Sequence, residues 1–179
     1  LGATVAPSVS AMAEQVDHVF TCLPNPGVSE AVLAELMTGL KPGSTWIENS
    51  TLGRDDVLRL AGLARIGEVR LLEAPVTGGV HLAARGEITV LLGGDQDLVD
   101  LHRPALSVIG NRMFHMGPLG SAAIIKVITN MLAFIHLKAT SEALMLAKRG
   151  GLDLGQAWHA IQSSSGNPVV HATERALIL

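Results

Sequence analysis

A single cysteine, Cys22, stands among 179 residues. One thiol excludes an internal disulfide and a cysteine-rich metal centre, and it fits a reducing compartment: the cytoplasm, or the mitochondrial interior. The seven histidines include no His-x-x-x-His pair, and no Cys-x-x-Cys accompanies them, so no metal is expected. Thirteen basic residues face sixteen acidic ones, giving a net charge of −3 without a basic cluster. Nucleic acid and anionic membrane are therefore poor partners. No unbroken apolar run reaches the roughly eighteen residues of a membrane span, and no signal peptide is expected within these residues. A G-x-G-x-x-G loop is also missing. Gly117 and Gly120 precede a helix, but they follow the last expected strand, and Ser121-Ala122 departs from the pattern. Nothing of that kind cradles a pyrophosphate.

What is present is a core-forming composition, 48% hydrophobic and 16% charged, enough for one domain, or for one and part of another. The chain opens on a β-branched run at Gly2–Ala6 and a helical turn near Met12–Gln15. Val16–Leu23 reads as a buried strand, with Cys22 inside it. Asn25 or Ser29 then opens an amphipathic helix that Lys41-Pro42-Gly43 ends. Strands are expected at Ser44–Glu48, Val69–Ala74, Ile88–Leu92 and Arg112–Met116, with helices capped by Asn49-Ser50-Thr51 and by Asp95 between them. This alternation predicts an α/β fold with a largely parallel sheet, whose ligands bind beyond the carboxyl ends of the strands. Leu23-Pro24-Asn25, Asn49-Ser50-Thr51 and Thr77-Gly78-Gly79 all fall there.

After Gly117 the pattern is all helical. Ser121 is placed as an N-cap, and no breaker follows until Gly150-Gly151, a helix of roughly 40 Å at 1.5 Å per residue. Asp153 and Gln156 open a short helix, 163–167 is a loop, and another helix begins near Pro168. The predicted organisation is a dinucleotide-type α/β domain at 1–116 and the start of a helical domain at 117–179, joined by the long helix.

Two stretches could carry chemistry. Lys126 and Asn130 stand four apart on one helix face amid Ile124, Ile125, Val127, Ile128, Met131 and Leu132. A lysine there loses solvation and drops toward a pKa useful for proton transfer, or else snorkels along a narrow polar stripe. The run Glu73-Ala-Pro-Val-Thr-Gly-Gly79 leads a strand into a hydroxyl and two glycines. Backbone N–H groups and Thr77 Oγ1 could bind a carboxylate there, or the glycines could simply make a turn.

EAPVTGG at 73–79, ARGEITVLLGG at 84–94 and GPLGSAAIIKVITN at 117–130 resemble the β-hydroxyacid dehydrogenases, with Leu23-Pro24 and Glu48-Asn-Ser-Thr51 at the places of that family's cofactor segments. The resemblance implies a partial Rossmann-type sheet followed by an all-α domain, and a nicotinamide cofactor, NAD or NADP. By resemblance Lys126 is the general acid and base, Asn130 helps hold the substrate, and Thr77, Gly78 and Gly79 grip its carboxylate. Leu23, Pro24 and Thr51 would contact the cofactor. It also implies a small hydroxy acid as substrate and a homodimer or homotetramer. Departures are Glu48 and Glu73 for aspartate, Thr77 for serine, and Leu82 for a glycine.

Both ends read as cuts, since the chain starts at Leu1 and stops inside an expected helix. The family's phosphate loop and its NAD-or-NADP selecting residue would precede Leu1, and a further substrate lysine would follow Leu179. The reading is thus of an oxidoreductase for 3-hydroxy acids and their semialdehydes. Its alternatives are an inactive dimerising or ligand-binding module and an imine reductase-like enzyme.

Overall fold

The computed structural model describes residues 2–166. Asn167 and the helix expected from Pro168 lie outside the described residues. The chain divides into two compact units, Leu1–Thr129 and Asn130–Leu179.

In the first unit, Ser8 Oγ accepts the Ala11 N–H at 3.1 Å and opens α1 (Val9–Ala13). Asn25 Oδ1 accepts the Val28 N–H at 3.0 Å and opens α2 (Pro26–Leu36), whose proline sits where no N–H is needed. Around them β1 (His18–Thr21), β2 (Thr45–Glu48) and β3 (Arg70–Glu73) form a parallel sheet in the order β1-β2-β3, with α3 (Arg54–Ile66) crossing from β2 to β3. Its first row is His18, Thr45 and Arg70, and its last is Thr21, Glu48 and Glu73.

Side chains alternate across this sheet. Val19, Trp46 and Leu71 join Leu33, Leu36, Leu60 and Ala64 in one core, while Ile47 and Leu72 face a second core with Leu98, Val99 and Leu106. The interior strand β2 is buried on both faces, which explains its lack of polar alternation.

Beyond β3 the chain runs through Ala74-Pro75 into β4 (Val76–Thr77) and the short α4 (Val80–Ala83), then β5 (Thr89–Leu92), α5 (Gln96–Ile109) and β6 (Arg112–His115). A second sheet has the order β4-β5-β6, antiparallel between β4 and β5 and parallel between β5 and β6. Glu73 and Gly93 exchange both backbone hydrogen bonds at 3.0 Å and link the two sheets. The antiparallel pairing follows from the short connection between β4 and β5, which carries only the four-residue α4 and no crossover helix of the kind a parallel pair needs.

The long helix α6 (Ser121–Arg149) ends in a Schellman turn. Leu152 N–H donates to Ala147 O and Gly151 N–H to Lys148 O, both at 3.1 Å, with Gly151 at φ +79°. In the second unit α7 (Leu154–Gln162) follows, its Asp153 Oδ1 accepting the Gln156 N–H at 2.8 Å.

Several expectations are corrected. Gly2–Ala6 forms no strand. The N-cap of α3 is Gly53 rather than Asn49-Ser50-Thr51, because Asn49 Nδ2 is committed to Ala74 O at 2.7 Å and Ser50 to its neighbours. Asp95 holds the N-cap position of α5 without a side-chain cap bond, and its carboxylate lies 3.6 Å from Arg70 instead. Ser121 is the first residue inside α6, and Gly120 O accepts the Ile124 N–H at 3.2 Å. Cys22 is exposed, since β1 stops one residue earlier. The stretch between β3 and β5, where no element was expected, contains β4 and α4. By length and composition α6 also meets the criterion for a membrane span, with a window of mean hydropathy 1.5, a test that core helices of water-soluble folds pass equally.

Candidate active site

The carboxyl edge of the first sheet is held together by side chains rooted in its last row. Glu48 Oε1 accepts the Ser50 N–H at 2.8 Å, and Ser50 Oγ accepts the Leu23 N–H at 2.6 Å. Asn49 N–H donates to Thr21 O at 2.7 Å, while Ala74 N–H donates to Glu48 O at 2.8 Å. The segments after β1, β2 and β3 therefore form one hydrogen-bonded rim. Leu23 is half-buried, and Pro24 and Thr51 are exposed on it.

Glu73 belongs to the same row and faces the start of α6. Its Oε2 accepts the Gly120 N–H at 3.0 Å, and its Oε1 accepts the N–H groups of Ala122 and, at 3.2 Å, Ala123. Only 1% of Glu73 is exposed. Burial pushes its carboxyl above the usual carboxylate range, and the three N–H donors pull it back. The sequence offered a charged strand end at Glu73, but no local signal tied it to a helix start 47 residues on.

Lys126 lies on α6 one turn beyond that cap and is 7% exposed. Desolvation lowers its pKa from the ordinary lysine value. Its amine has no ion-pair or hydrogen-bond partner among the described residues.

Thr77 ends β4, and Gly78 and Gly79 follow at φ +131° and +81°, conformations that side chains resist. Neither glycine N–H donates to another backbone group among the described residues. Leu82 packs over this turn, its Cδ1 at 2.8 Å from where a Cβ on Gly78 would stand. No hydrogen bond joins Thr77, Gly78 or Gly79 to Lys126 among the described residues. Asn130 is half-buried on α6 and begins the second unit. No group of three or more His, Cys, Asp or Glu gathers as for a metal among the described residues.

Residues 1–117 match the family described as the NAD binding domain of 6-phosphogluconate dehydrogenase, and residues 120–177 the NAD-binding family of NADP-dependent 3-hydroxyisobutyrate dehydrogenase. The chain belongs to the β-hydroxyacid dehydrogenase family. The cofactor of these dehydrogenases is a nicotinamide dinucleotide, NAD or NADP.

The chain is 32% identical over 166 residues to the mitochondrial 3-hydroxyisobutyrate dehydrogenase of Drosophila melanogaster, covering 92% of this chain and 51% of that protein. It is 29% identical over 168 residues to 2-(hydroxymethyl)glutarate dehydrogenase of Eubacterium barkeri, covering 92% and 56%. The chain thus spans about half the length of the curated relatives it matches. Among solved structures, 3-hydroxyisobutyrate dehydrogenase of Mycobacterium tuberculosis with L-serine matches with a TM-score of 0.83 at 28% identity, over 90% of this chain and 56% of that one. An imine reductase of Myxococcus stipitatus shares the fold, with a TM-score of 0.83 at 19% identity over 99% of this chain and 60% of that one.

Proposed function

We propose that the protein interconverts a 3-hydroxy acid and its semialdehyde or keto acid with NAD or NADP, using Lys126 as general acid and base. The observation that carries this reading is Lys126 itself, a lysine only 7% exposed on α6 with no partner for its amine among the described residues, whose pKa desolvation lowers. A neutral amine at this position takes the hydroxyl proton during oxidation, and its ammonium form returns a proton to the carbonyl oxygen during reduction. When bound, the nicotinamide accepts or supplies the hydride.

Leu23, Pro24 and Thr51 hold the cofactor in this reading, on the rim that Ser50 and Glu48 support. Thr77 Oγ1 and the free N–H groups of Gly78 and Gly79 receive the substrate carboxylate, as successive N–H groups at a turn do. Asn130 contributes to substrate binding by the same family resemblance. The organisation proposed is a dinucleotide domain through residue 116 followed by a helical domain. Exposed Ile124, Val127 and Ile128 on α6 suit association with a second copy. Imine reduction and a non-catalytic module gain no support from a particular residue of this chain.

Lys126→Ala tests the assignment. Turnover of 3-hydroxy acids, followed by NAD(P)H absorbance, should fall by about 10²–10⁴-fold with cofactor affinity nearly unchanged. Undiminished turnover would sink the reading.

A further inference from the structure

We propose that Glu73 is a positioning residue, whose carboxylate fixes the start of α6 and thereby the placement of Lys126. This rests on Lys126 being the acid–base group.

The start of a helix leaves its first N–H groups without intrahelical partners. At α6 the local sequence supplies no cap of its own, because Ser121 lies inside the helix. Two of those N–H groups, from Ala122 and Ala123, and that of Gly120 just before the helix are instead satisfied by one side chain on β3. A remote cap does what a local one cannot: it locks both the axial position and the rotation of the helix to the sheet. Lys126 is three residues beyond Ala123, about 4.5 Å along the axis. A slip or turn of the helix start is therefore passed directly to its amine. From Glu73 the chain also runs on through Ala74-Pro75-Val76 to Thr77, so the carboxylate ties the helix to the strand that feeds the proposed substrate turn.

The opposing strand is shaped to this contact. At Gly93, a Cβ would meet Glu73 Cδ at 2.6 Å and Cγ at 2.7 Å. The three nearest obstacles to a side chain at position 93 all belong to Glu73, and Gly93 has no positive φ that would itself demand glycine. The carboxylate also contributes charge. A helix N-terminus disfavours a nearby ammonium, and an anion there offsets that field. Charged groups at this end include Glu48, the register partner of Glu73, and Arg54, whose Cγ lies 2.9 Å from a Cβ position on Gly120.

The experiment compares Glu73→Gln, Glu73→Ala, Glu73→Asp and Gly93→Ala in the purified protein. It reads kcat and KM across pH, and amide hydrogen exchange at Gly120, Ala122 and Ala123. Glu73→Gln keeps one acceptor oxygen, loses the charge and turns an amide NH2 donor toward a backbone N–H that had been bonded. Its kcat should fall less than that of Glu73→Ala, while the pH profile moves down by about 0.2–0.7 of a pH unit. Glu73→Ala should lose tenfold or more in kcat and exchange the three amides faster, and Glu73→Asp should recover part of both. Gly93→Ala should reproduce the loss by pushing the carboxylate aside, and Glu73→Ala/Gly93→Ala should be no worse than Glu73→Ala alone. Wild-type kcat, pH profile and amide protection in Glu73→Ala and Gly93→Ala would overturn the proposal. Failure of the underlying reading is seen separately, as turnover retained by Lys126→Ala, and the exchange rates report the cap whatever the activity.

Discussion

Glu48 and Glu73 are register partners in the parallel β2–β3 pair, each the last residue of its strand. Each turns its carboxylate to backbone N–H groups beyond the sheet: Glu48 to Ser50 at 2.8 Å, and Glu73 to Gly120 at 3.0 Å. With Thr21 they make a buried polar row under the rim of the candidate site. The loops above are held from beneath by side chains, so their geometry follows from the sheet.

Ser50→Ala removes the acceptor of the Leu23 N–H. One hydrogen bond is worth about 0.5–1.5 kcal/mol, so dinucleotide affinity should weaken by about fivefold. Titration of NADH and NADPH fluorescence measures it, with kcat expected to hold. A change under about twofold would remove this rim from the cofactor site.

Thr21→Val deprives the buried Trp46 indole of its acceptor, Oγ1 at 2.7 Å. The orphaned N–H should cost about 1–3 kcal/mol in urea denaturation. Adding Trp46→Phe removes the orphan, so the double variant should lose less stability than the two single losses combined.

The lowered pKa of Lys126 makes stability depend on pH. Between its depressed folded value and the ordinary 10.5, the unfolded chain binds the extra proton, so stability rises with pH through that window and is lost as pH falls through the folded value. Lys126→Met should flatten this slope and be more stable than wild type near neutrality. Urea midpoints at pH 7 and pH 9.5 make the comparison, and a Lys126→Met midpoint no higher than wild type at pH 7 would contradict it.

His102 supplies a second window, at acid pH. It is buried on α5 with Nε2 unpartnered among the described residues, and its ring meets His18 edge-on at 4.6 Å. Burial holds its pKa below the ordinary 6.5, and the charges of His18 and Arg70 add to the effect. Its contribution is present above 6.5 and lost as pH falls through the depressed value. His102→Leu should therefore blunt acid unfolding below about pH 6.5 in thermal melts taken from pH 7.5 to pH 5.

Local chemistry determined a good deal of this protein. Asn25 before Pro26, Asp153 before Gln156, and Gly151 after Arg149 set helix ends that need only neighbouring residues. The apolar spacing around Lys126 offered a desolvated lysine or a snorkelling one, and five strand positions followed from runs between breakers, while Gly2–Ala6 gave none and β4 was not foreseen. Tertiary structure decided the rest. Whether Ser121 or a distant carboxylate caps α6, whether Cys22 is inside or outside its strand, and how the two sheets join at Glu73 and Gly93 depend on groups apart in the chain. A helix start leaves the same N–H groups free whatever satisfies them. Only the folded sheet, by bringing Glu73 within reach of Gly120, Ala122 and Ala123, selects the partner.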